Sequence, residues 1–150
     1  MSDAHFTIEL NLQADYRFEI DFRHPGAPLL VTDATPPLGA GAGPDAEQLL
    51  IAAVANCLST SLLFSLRKFK NEVGTMRTVA DAKLVRNEQN RLRVGGIEVE
   101  IRLGVAAAAL KQLDRALAQF EDFCVVTQSV RAAIPVQVRI LDGEGHVLKA

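Results

Sequence analysis

The stretch Leu49-Leu-Ile-Ala-Ala-Val-Ala-Asn-Cys57-Leu-Ser-Thr-Ser-Leu-Leu-Phe-Ser-Leu66 decides the fold of this chain, because it is apolar and carries no charge. Pro44, Asp45 and Glu47 precede it, which is typical of a helix start, since acidic side chains there complement the helix dipole. We predict a helix from Pro44 to about Lys70. Its apolar residues spread around the whole circumference, so it should be buried on nearly all sides.

The length of this uncharged stretch approaches the lower limit for crossing a bilayer. Polar residues interrupt it, however, and a protein interior that offers hydrogen-bond partners accommodates them more easily than lipid does. These residues are Asn56, Ser59, Thr60, Ser61 and Ser65. A central core helix is therefore favoured over a membrane span.

Segments that alternate apolar and polar residues flank the helix and predict strands. The predicted elements are strands Phe6 to Leu12, Tyr16 to Phe22 and Leu29 to Thr32, a hairpin of Met76 to Val85 and Leu92 to Leu103 with one wet face, helices Ala106 to Glu121 and Cys124 to Ala132, and a last strand, Val136 to Ile140. This order indicates an α+β fold in one domain spanning residues 1–150. A helix buried all round needs more cover than one small sheet provides, so we expect an obligate homodimer.

The composition indicates an ordinary globular protein, with 150 residues, 49% hydrophobic residues, 23% charged residues and a net charge of -2. Such a charge gives no general attraction to nucleic acid or to a membrane surface. The first residues lack the basic and apolar regions of a secretory signal, so we expect a cytoplasmic, reducing compartment. In that compartment two cysteines are more often free thiols or a redox pair than a permanent disulfide.

Several other kinds of site are not favoured. Gly39-Ala-Gly-Ala-Gly43 lacks the Lys-Ser/Thr ending of a phosphate-binding P-loop and is interpreted as a flexible entry to the helix. His5, His24 and His146 have no cysteine or carboxylate at a zinc-like spacing, and none falls beside a buried nucleophile. We therefore expect neither a metal nor an organic cofactor.

The two cysteines, Cys57 and Cys124, are the candidates for chemistry. Cys57 alone would be interpreted as a small packed hydrophobe, and a reactive thiol in its apolar setting would need a nearby cation. Cys124 lies near a predicted helix N-terminus, where free N–H groups and the dipole lower the pKa of a thiol. Electrostatics alone therefore favour Cys124 as the thiolate.

Two segments together resemble the OsmC/Ohr family of thiol peroxidases: Gly43-Pro-Asp-Ala-Glu47-Gln-Leu-Leu-Ile-Ala-Ala-Val-Ala-Asn-Cys57-Leu and Phe123-Cys124-Val-Val-Thr-Gln-Ser-Val. The resemblance covers nearly the whole chain and implies an intertwined homodimer with two active sites at the subunit interface. It also implies that Cys57 attacks a hydroperoxide and that Cys124 resolves the resulting sulfenic acid as a disulfide. A dithiol reductant, in this family often a lipoylated protein, would reopen the disulfide.

The resemblance further implies an arginine from the N-terminal hairpin that activates the attacking cysteine and is braced by the helix-start glutamate. Glu47 matches the glutamate position, Arg17 is our choice for the arginine, and Arg23 is the alternative. About 15 Å of helix separates Glu47 from Cys57, so their joint action would require the partner subunit.

The chain departs from the family pattern in two places, which brings it nearest to a less characterised OsmC-like branch. It lacks the Gly-Gly-Arg-Asp-Gly turn of organic-hydroperoxide-resistance members, and Val125 follows the second cysteine where proline is common. Thr127 occupies the polar position beyond it. The alternative function is a non-catalytic protein that holds an apolar small molecule in the same interface cavity.

Overall fold

The computed structural model describes residues 3–150, which separate into two compact units, one ending at Leu49 and the other comprising Leu50–Ala150. The first unit contains a three-stranded antiparallel sheet in the order β1-β2-β3. Its strands are β1 (Glu9–Ala14), β2 (Arg17–Asp21) and β3 (Leu30–Thr32). The predicted N-terminal hairpin is present, although both of its strands are shorter than the alternating pattern suggested.

Asp33 organises the loop that follows β3. Its buried carboxylate accepts hydrogen bonds from the backbone N–H groups of Ala34, Ala40 and Ala42 at 2.8, 3.1 and 3.1 Å. A Cβ atom at Gly43 would lie 2.1 Å from a backbone carbonyl oxygen of β3, so only glycine permits this close approach. Because its N–H groups already bond a carboxylate, the glycine-rich segment serves as a structured helix entry.

Helix α1 (Ala46–Lys68) begins two residues later than predicted, because Asp45 caps it. The Gln48 N–H donates to Asp45 Oδ1 at 2.9 Å, and the Asp45 N–H donates to Gln48 Oε1 at 3.0 Å. This reciprocal arrangement is a capping box, and it leaves Pro44 just outside the helix. At the other end Lys70 adopts a left-handed φ of 59°, which terminates the helix.

The second unit contains a four-stranded sheet in the order β4-β5-β6-β7. Its strands are β4 (Met76–Arg86), β5 (Leu92–Leu103), β6 (Val136–Leu141) and β7 (Val147–Lys149). The β4–β5 pair is the predicted hairpin, whereas β5 and β6 run parallel and are joined by a helical crossover. Strand β7 was not predicted, because three residues are too few to display an alternating pattern.

The prediction of one helix from Ala106 to Glu121 is wrong, because this segment is broken. Gln112 adopts a left-handed φ of 52° just before the helical residues, which excludes a continuous helix. The apolar spacing continues across the break, so the pattern alone could not reveal it. The observed elements are a 3-10 turn (Ala107–Ala109), α2 (Leu113–Gln119), a second 3-10 turn (Phe120–Phe123) and α3 (Val125–Val130).

The core of the second unit lies between α1 and the inner face of the sheet. One stripe of α1 is fully buried and packs with the inward residues of β5 and β6 and with Phe120. The stripe recurs at helical spacing and consists of Val54, Leu58, Leu62 and Leu66.

Helix α1 is buried on one side only within a single chain, whereas the sequence predicted burial on nearly all sides. Ala52, Ala53 and Phe64 are exposed on it. Among the described residues α1 is the one helix whose length and composition would also suit a membrane span. Its polar residues bond within the protein, as where the Ser65 hydroxyl donates to the Ala116 carbonyl at 2.9 Å, which favours a core helix.

Candidate active site

Two cysteines that are far apart in sequence meet in the second unit. Cys57 comes from the middle of α1, and Cys124 occupies the position between the second 3-10 turn and α3. Both are free thiols, and they lie close enough for each to shift the pKa of the other. Cys124 is fully buried, whereas Cys57 is partly exposed. A reagent that enters from solvent therefore reaches Cys57 first.

The start of α3 directs two backbone N–H groups at the sulfur of Cys57. The first N–H groups of any helix have no partner inside that helix, and here those of Val126 and Thr127 approach the sulfur of Cys57. The hydroxyl of Ser61, one turn further along α1, is a further donor. Cys57 is thus surrounded by neutral hydrogen-bond donors.

These donors set the pKa of Cys57. Burial alone would raise the pKa of the Cys57 thiol, because desolvation disfavours the thiolate. The hydrogen bond from the Cys124 thiol is the largest opposing effect, and the bonds from the α3 N–H groups and Ser61 add to it. The net result is a pKa below the ordinary value of cysteine, so Cys57 forms its thiolate more readily than an ordinary cysteine does.

Cys124 has the opposite electrostatic balance, which overturns the expectation that it would be the better thiolate. Burial raises the pKa of the Cys124 thiol, and the hydrogen bond to Cys57 raises it further. The hydroxyl and the N–H of Thr127 oppose this rise without cancelling it. Sequence reasoning assigned the helix N-terminus to Cys124, whereas in the fold its N–H groups also reach Cys57.

A cluster of charged residues anchors the segment that carries Cys124. Glu121 Oε1 lies 2.5 Å from Arg131 Nη2, and Glu121 Oε2 lies 2.5 Å from Lys149 Nζ. Burial raises the pKa of Glu121, but the bonds to Lys149 and Arg131 outweigh it and hold that pKa below its usual range. This cluster ties the second 3-10 turn to the residue that directly follows α3 and to β7. The sequence gives no signal of it, because its members lie in three separate elements.

Apolar side chains surround the cysteine segment on the protein surface. The rings of Phe64 and Phe123 form an edge-to-face pair with centroids 6.3 Å apart. Both rings are more than half exposed, and Val125, next to Cys124, is 76% exposed. The neighbourhood of the thiols is therefore suited to apolar contacts.

The remaining predicted site residues belong to the first unit. Arg17 opens β2 and is half-buried, and its Nε is buried without a hydrogen-bond partner in the described part of the chain. Arg23, the alternative arginine, is exposed and forms an ion pair with Glu9. Glu47 lies exposed in the first turn of α1. Among residues 3–150, Arg23 is held in an ion pair, whereas the buried Nε of Arg17 has no partner.

One group among residues 3–150 has the composition of a metal site. Ligand atoms of Asp142, Glu144 and His146 all lie within 4.8 Å of one another. The buried Asp142 carboxylate accepts hydrogen bonds from the N–H groups of Glu144 and His146 at 2.9 and 2.8 Å. Despite burial, these and a bond from the Ala107 N–H lower the pKa of Asp142 to about 2. The turn between β6 and β7 accounts for this arrangement without a metal.

A groove that neither cysteine lines lies on the outer face of the sheet. It has a volume of about 550 Å³, and charged side chains of both signs line it, including Arg77, Asp81, Glu98 and Arg139. Arg139 Nη1 and Glu100 Oε2 lie 3.4 Å apart beside it. This is the solvent-exposed face predicted for the hairpin. The residues that line the groove include no nucleophile, so the thiol pair is the stronger candidate site.

A family model and several solved structures with the same fold are similar to this chain. A family model described as OsmC-like protein matches residues 39–139. An OsmC-like protein of unknown function from Vibrio cholerae is 18% identical, with a TM-score of 0.77 over 93% of this chain and 100% of that chain. An organic hydroperoxide resistance protein of Bacillus subtilis is 16% identical, with a TM-score of 0.67 over 91% of this chain and 98% of that chain.

A third solved structure is also similar to this chain. An organic hydroperoxide resistance protein from Legionella pneumophila is 14% identical, with a TM-score of 0.69 over 93% of this chain and 98% of that chain. No curated protein has a matching sequence. At these identities the structural likeness establishes the fold.

Proposed function

Because the chain belongs to the OsmC-like protein family, we propose that it is a thiol-dependent peroxidase that reduces organic hydroperoxides. The family match confirms the resemblance that the two cysteine segments suggested, and the α+β fold is confirmed with it. One observation carries the proposal: the partly exposed thiol of Cys57 lies beside the buried thiol of Cys124, and its surroundings lower its pKa. Two solved proteins of this fold are named for organic hydroperoxide resistance.

The proposed reaction requires no metal and no organic cofactor. The Cys57 thiolate attacks one peroxide oxygen, the O–O bond breaks, and the other oxygen leaves as an alcohol after taking a proton. Cys57 is then a sulfenic acid. The Cys124 sulfur attacks the Cys57 sulfur, the S–O bond breaks, and the hydroxyl leaves as water with the Cys124 proton. An external dithiol, of which a protein-bound lipoyl group is one example, reduces the disulfide by exchange.

Arg17 and Glu47 have supporting roles in this proposal. An arginine positioned beside Cys57 would stabilise its thiolate, and Glu47 would hold that arginine in place. The half-buried guanidinium of Arg17, with an unpartnered Nε in the described residues, supports Arg17 over the ion-paired Arg23. Cys57 already receives several neutral donors, so the arginine would add to an existing stabilisation.

We also propose that the active form is a homodimer. Large apolar side chains are exposed in each of the two units, including Leu12 at 60% and Phe64 at 60% exposure. An unpartnered apolar face on α1 is costly in water, and a second copy would cover it. Sedimentation of the purified protein tests this, since a monomeric mass at micromolar concentration would contradict the proposal.

The peroxidase proposal is tested by adding one equivalent of cumene hydroperoxide to the reduced protein and counting free thiols. We expect both thiols to disappear rapidly, and mass spectrometry should locate a Cys57–Cys124 disulfide. A Cys57→Ser variant should not react. Repeating the experiment with hydrogen peroxide shows which class of peroxide reacts faster.

A non-catalytic function is the result if both thiols remain free under these conditions. The exposed apolar groups beside the cysteine segment, Phe64 and Phe123, would then favour a protein that holds an apolar small molecule. In that case Cys57→Ser would leave ligand binding largely unchanged.

A further inference from the structure

Five exposed basic residues meet at the C-terminal end of α1. They belong to two segments of the second unit, and we call them the basic patch: Arg67, Lys68, Lys70, Lys111 and Arg115. The same two segments contain only two acidic residues, Glu72 and Asp114. The patch therefore has an excess of positive charge, although the net charge of the whole chain is -2.

The fold fixes these two segments side by side. Asn71 Nδ2 donates to the carbonyl oxygens of Leu66 and Lys111 at 3.0 and 2.9 Å, and the Lys111 N–H donates to Asn71 Oδ1 at 2.6 Å. A second contact joins them, because the guanidinium carbon of Arg115 lies 5.5 Å from the centre of the Phe69 ring. The five charges are thus held in one region of the surface.

The protein does not neutralise the basic patch. Among residues 3–150, none of its five side chains forms an ion pair. The dipole of α1 accounts for Arg67 and Lys68, which lie in its last turn. It does not account for Lys111 and Arg115, which lie at the N-terminal end of α2, where a cation is unfavourable. A partner outside the chain is therefore the better explanation of the cluster.

The basic patch lies on the same face of α1 as Cys57. Phe64 and Lys68 follow Cys57 by seven and eleven residues, which is close to two and three helical turns. Both side chains are exposed, so an accessible stripe runs about 16 Å along the helix from the partly exposed thiol to the patch. The Phe64 ring, which contacts Phe123, lies between them.

We propose that the basic patch is the docking surface for an acidic protein that carries the dithiol reductant. This inference rests on the proposed function, because it names the kind of partner that would reopen the Cys57–Cys124 disulfide. Opposite charges steer two surfaces together and fix their orientation. The exposed Phe64 ring beside the charges favours a protein over a nucleic acid, since protein interfaces combine an apolar centre with a polar rim. A second copy of this chain fits less well, because charged residues are depleted from the centre of such interfaces.

The reaction at this surface is balanced by the dithiol itself. One thiolate of the partner attacks the sulfur of Cys57, the more exposed of the two cysteines, and the Cys57–Cys124 bond breaks. Cys124 leaves as a thiolate and takes a proton. The second thiol of the partner then attacks the mixed disulfide and releases Cys57. This chain gains two electrons and two protons, and the dithiol becomes a disulfide.

Synthetic dithiols of different charge test the docking surface. The disulfide is formed with diamide, which oxidises thiols without peroxide, and its reduction is followed with dihydrolipoyl peptides that carry six glutamates, six serines or six lysines. We expect the glutamate peptide to react about tenfold faster than the serine peptide at about 0.01 M salt, because steering raises the association rate. The lysine peptide should be the slowest. At about 1 M salt these differences should disappear.

Reversing two charges of the patch should remove the advantage of the glutamate peptide. We expect Lys68→Glu/Lys111→Glu to react with the glutamate peptide no faster than with the serine peptide, while its rate with the serine peptide stays that of the unaltered protein. Lys83→Glu is the control, because Lys83 is an exposed lysine of β4 outside the patch. This variant should keep the advantage.

Three results would overturn the inference. The first is an equal rate for the glutamate and serine peptides with the unaltered protein. The second is a Lys83→Glu variant that loses the advantage as fully as the double variant does. The third is tight binding of a short DNA duplex at the patch without any acceleration by the glutamate peptide, which would assign the surface to nucleic acid.

A binding measurement covers the case in which diamide leaves the thiols free. The fluorescence anisotropy of a labelled glutamate peptide is then measured with the reduced protein and with the double variant. We expect the unaltered protein to bind the peptide about tenfold more tightly at low salt. Equal affinities would contradict the inference.

The two proposals fail in different experiments. If cumene hydroperoxide leaves both thiols free but the glutamate peptide keeps its salt-dependent advantage, the peroxidase proposal is wrong and the docking surface stands. If the peroxide forms the disulfide and the glutamate peptide has no advantage, the peroxidase proposal stands and the inference about the basic patch is wrong.

Discussion

Two groups of the second unit, one on the segment that carries Cys124 and one that this segment contacts, have a lowered pKa for different reasons. Glu121, at the start of the segment, lies between the cations Arg131 and Lys149. Cys57, which the far end of the segment contacts, receives hydrogen bonds from neutral donors. Burial disfavours the charge at both places, and in both the partners outweigh it.

The difference separates a structural anion from a reactive one. Two cations fix a carboxylate in its ionised form and tie three elements together, which suits an anchor. Neutral donors lower the pKa of a thiol without a permanent counter-charge, so the sulfur can lose its charge on oxidation without stranding a buried cation. One of these donors, the Cys124 thiol, is also the group that reacts next in the proposed cycle.

Replacing the structural anion should have the largest effect on the free energy of unfolding. Glu121→Gln leaves two partly buried cations without a counter-charge, so we expect a loss of about 2–3 kcal/mol in urea denaturation at pH 7. The exposed pair of Arg139 and Glu100 provides the control. Glu100→Gln should cost less than about 1 kcal/mol.

The pH dependence of this effect has a definite sign. The pKa of Glu121 is lowered on folding, so its stabilisation is fully present above the unfolded pKa of about 4.3. The stabilisation is lost as the pH falls through the lower folded pKa. The difference between the unaltered protein and Glu121→Gln should therefore shrink in acid. A difference that is constant from pH 7 to pH 3 would show that the ion pairs do not hold the segment.

Removing one neutral donor should have an intermediate effect, on reactivity. Cys124→Ala deletes the strongest of the bonds that lower the pKa of Cys57, so this pKa should rise. We expect alkylation of Cys57 by iodoacetamide to slow about tenfold at pH 7. Cys124→Ser keeps a hydroxyl donor and should slow it less. Equal rates in all three proteins would mean that the thiolate of Cys57 is stabilised from elsewhere.

Local sequence patterns predicted the parts of this fold that local patterns can specify. The uncharged stretch identified α1, and the alternating residues of Leu92 to Leu103 gave the bounds of β5. The break at Gln112 could not be predicted, because Leu110 and Leu113 keep helical spacing across it. Apolar spacing reports which side of the chain is buried, and it is insensitive to one residue with a left-handed backbone.

The candidate site, too, could be predicted only in part from local sequence patterns. The identity of the two cysteines was visible in the sequence, but which of them benefits from the α3 N-terminus was not. That depends on α1 and α3 meeting so that the N–H groups of Val126 and Thr127 reach Cys57. Ser61 lies four residues after Cys57, a spacing that could have suggested a contact on one helix face.

Ser61 offers the smallest and sharpest test of the comparison, because it is the weakest of the donors that lower the pKa of Cys57. Ser61→Ala should raise that pKa slightly and slow alkylation about two- to threefold at pH 7. Ser65→Ala is the matched control, since Ser65 donates to the Ala116 carbonyl and not to a sulfur. It should reduce stability by about 1 kcal/mol and leave alkylation unchanged. A different outcome is that Ser61→Ala slows alkylation as much as Cys124→Ala does. In that case the thiolate of Cys57 would be stabilised mainly by its own helix. The segment that carries Cys124 would then have no electrostatic role beyond the ion pairs of Glu121.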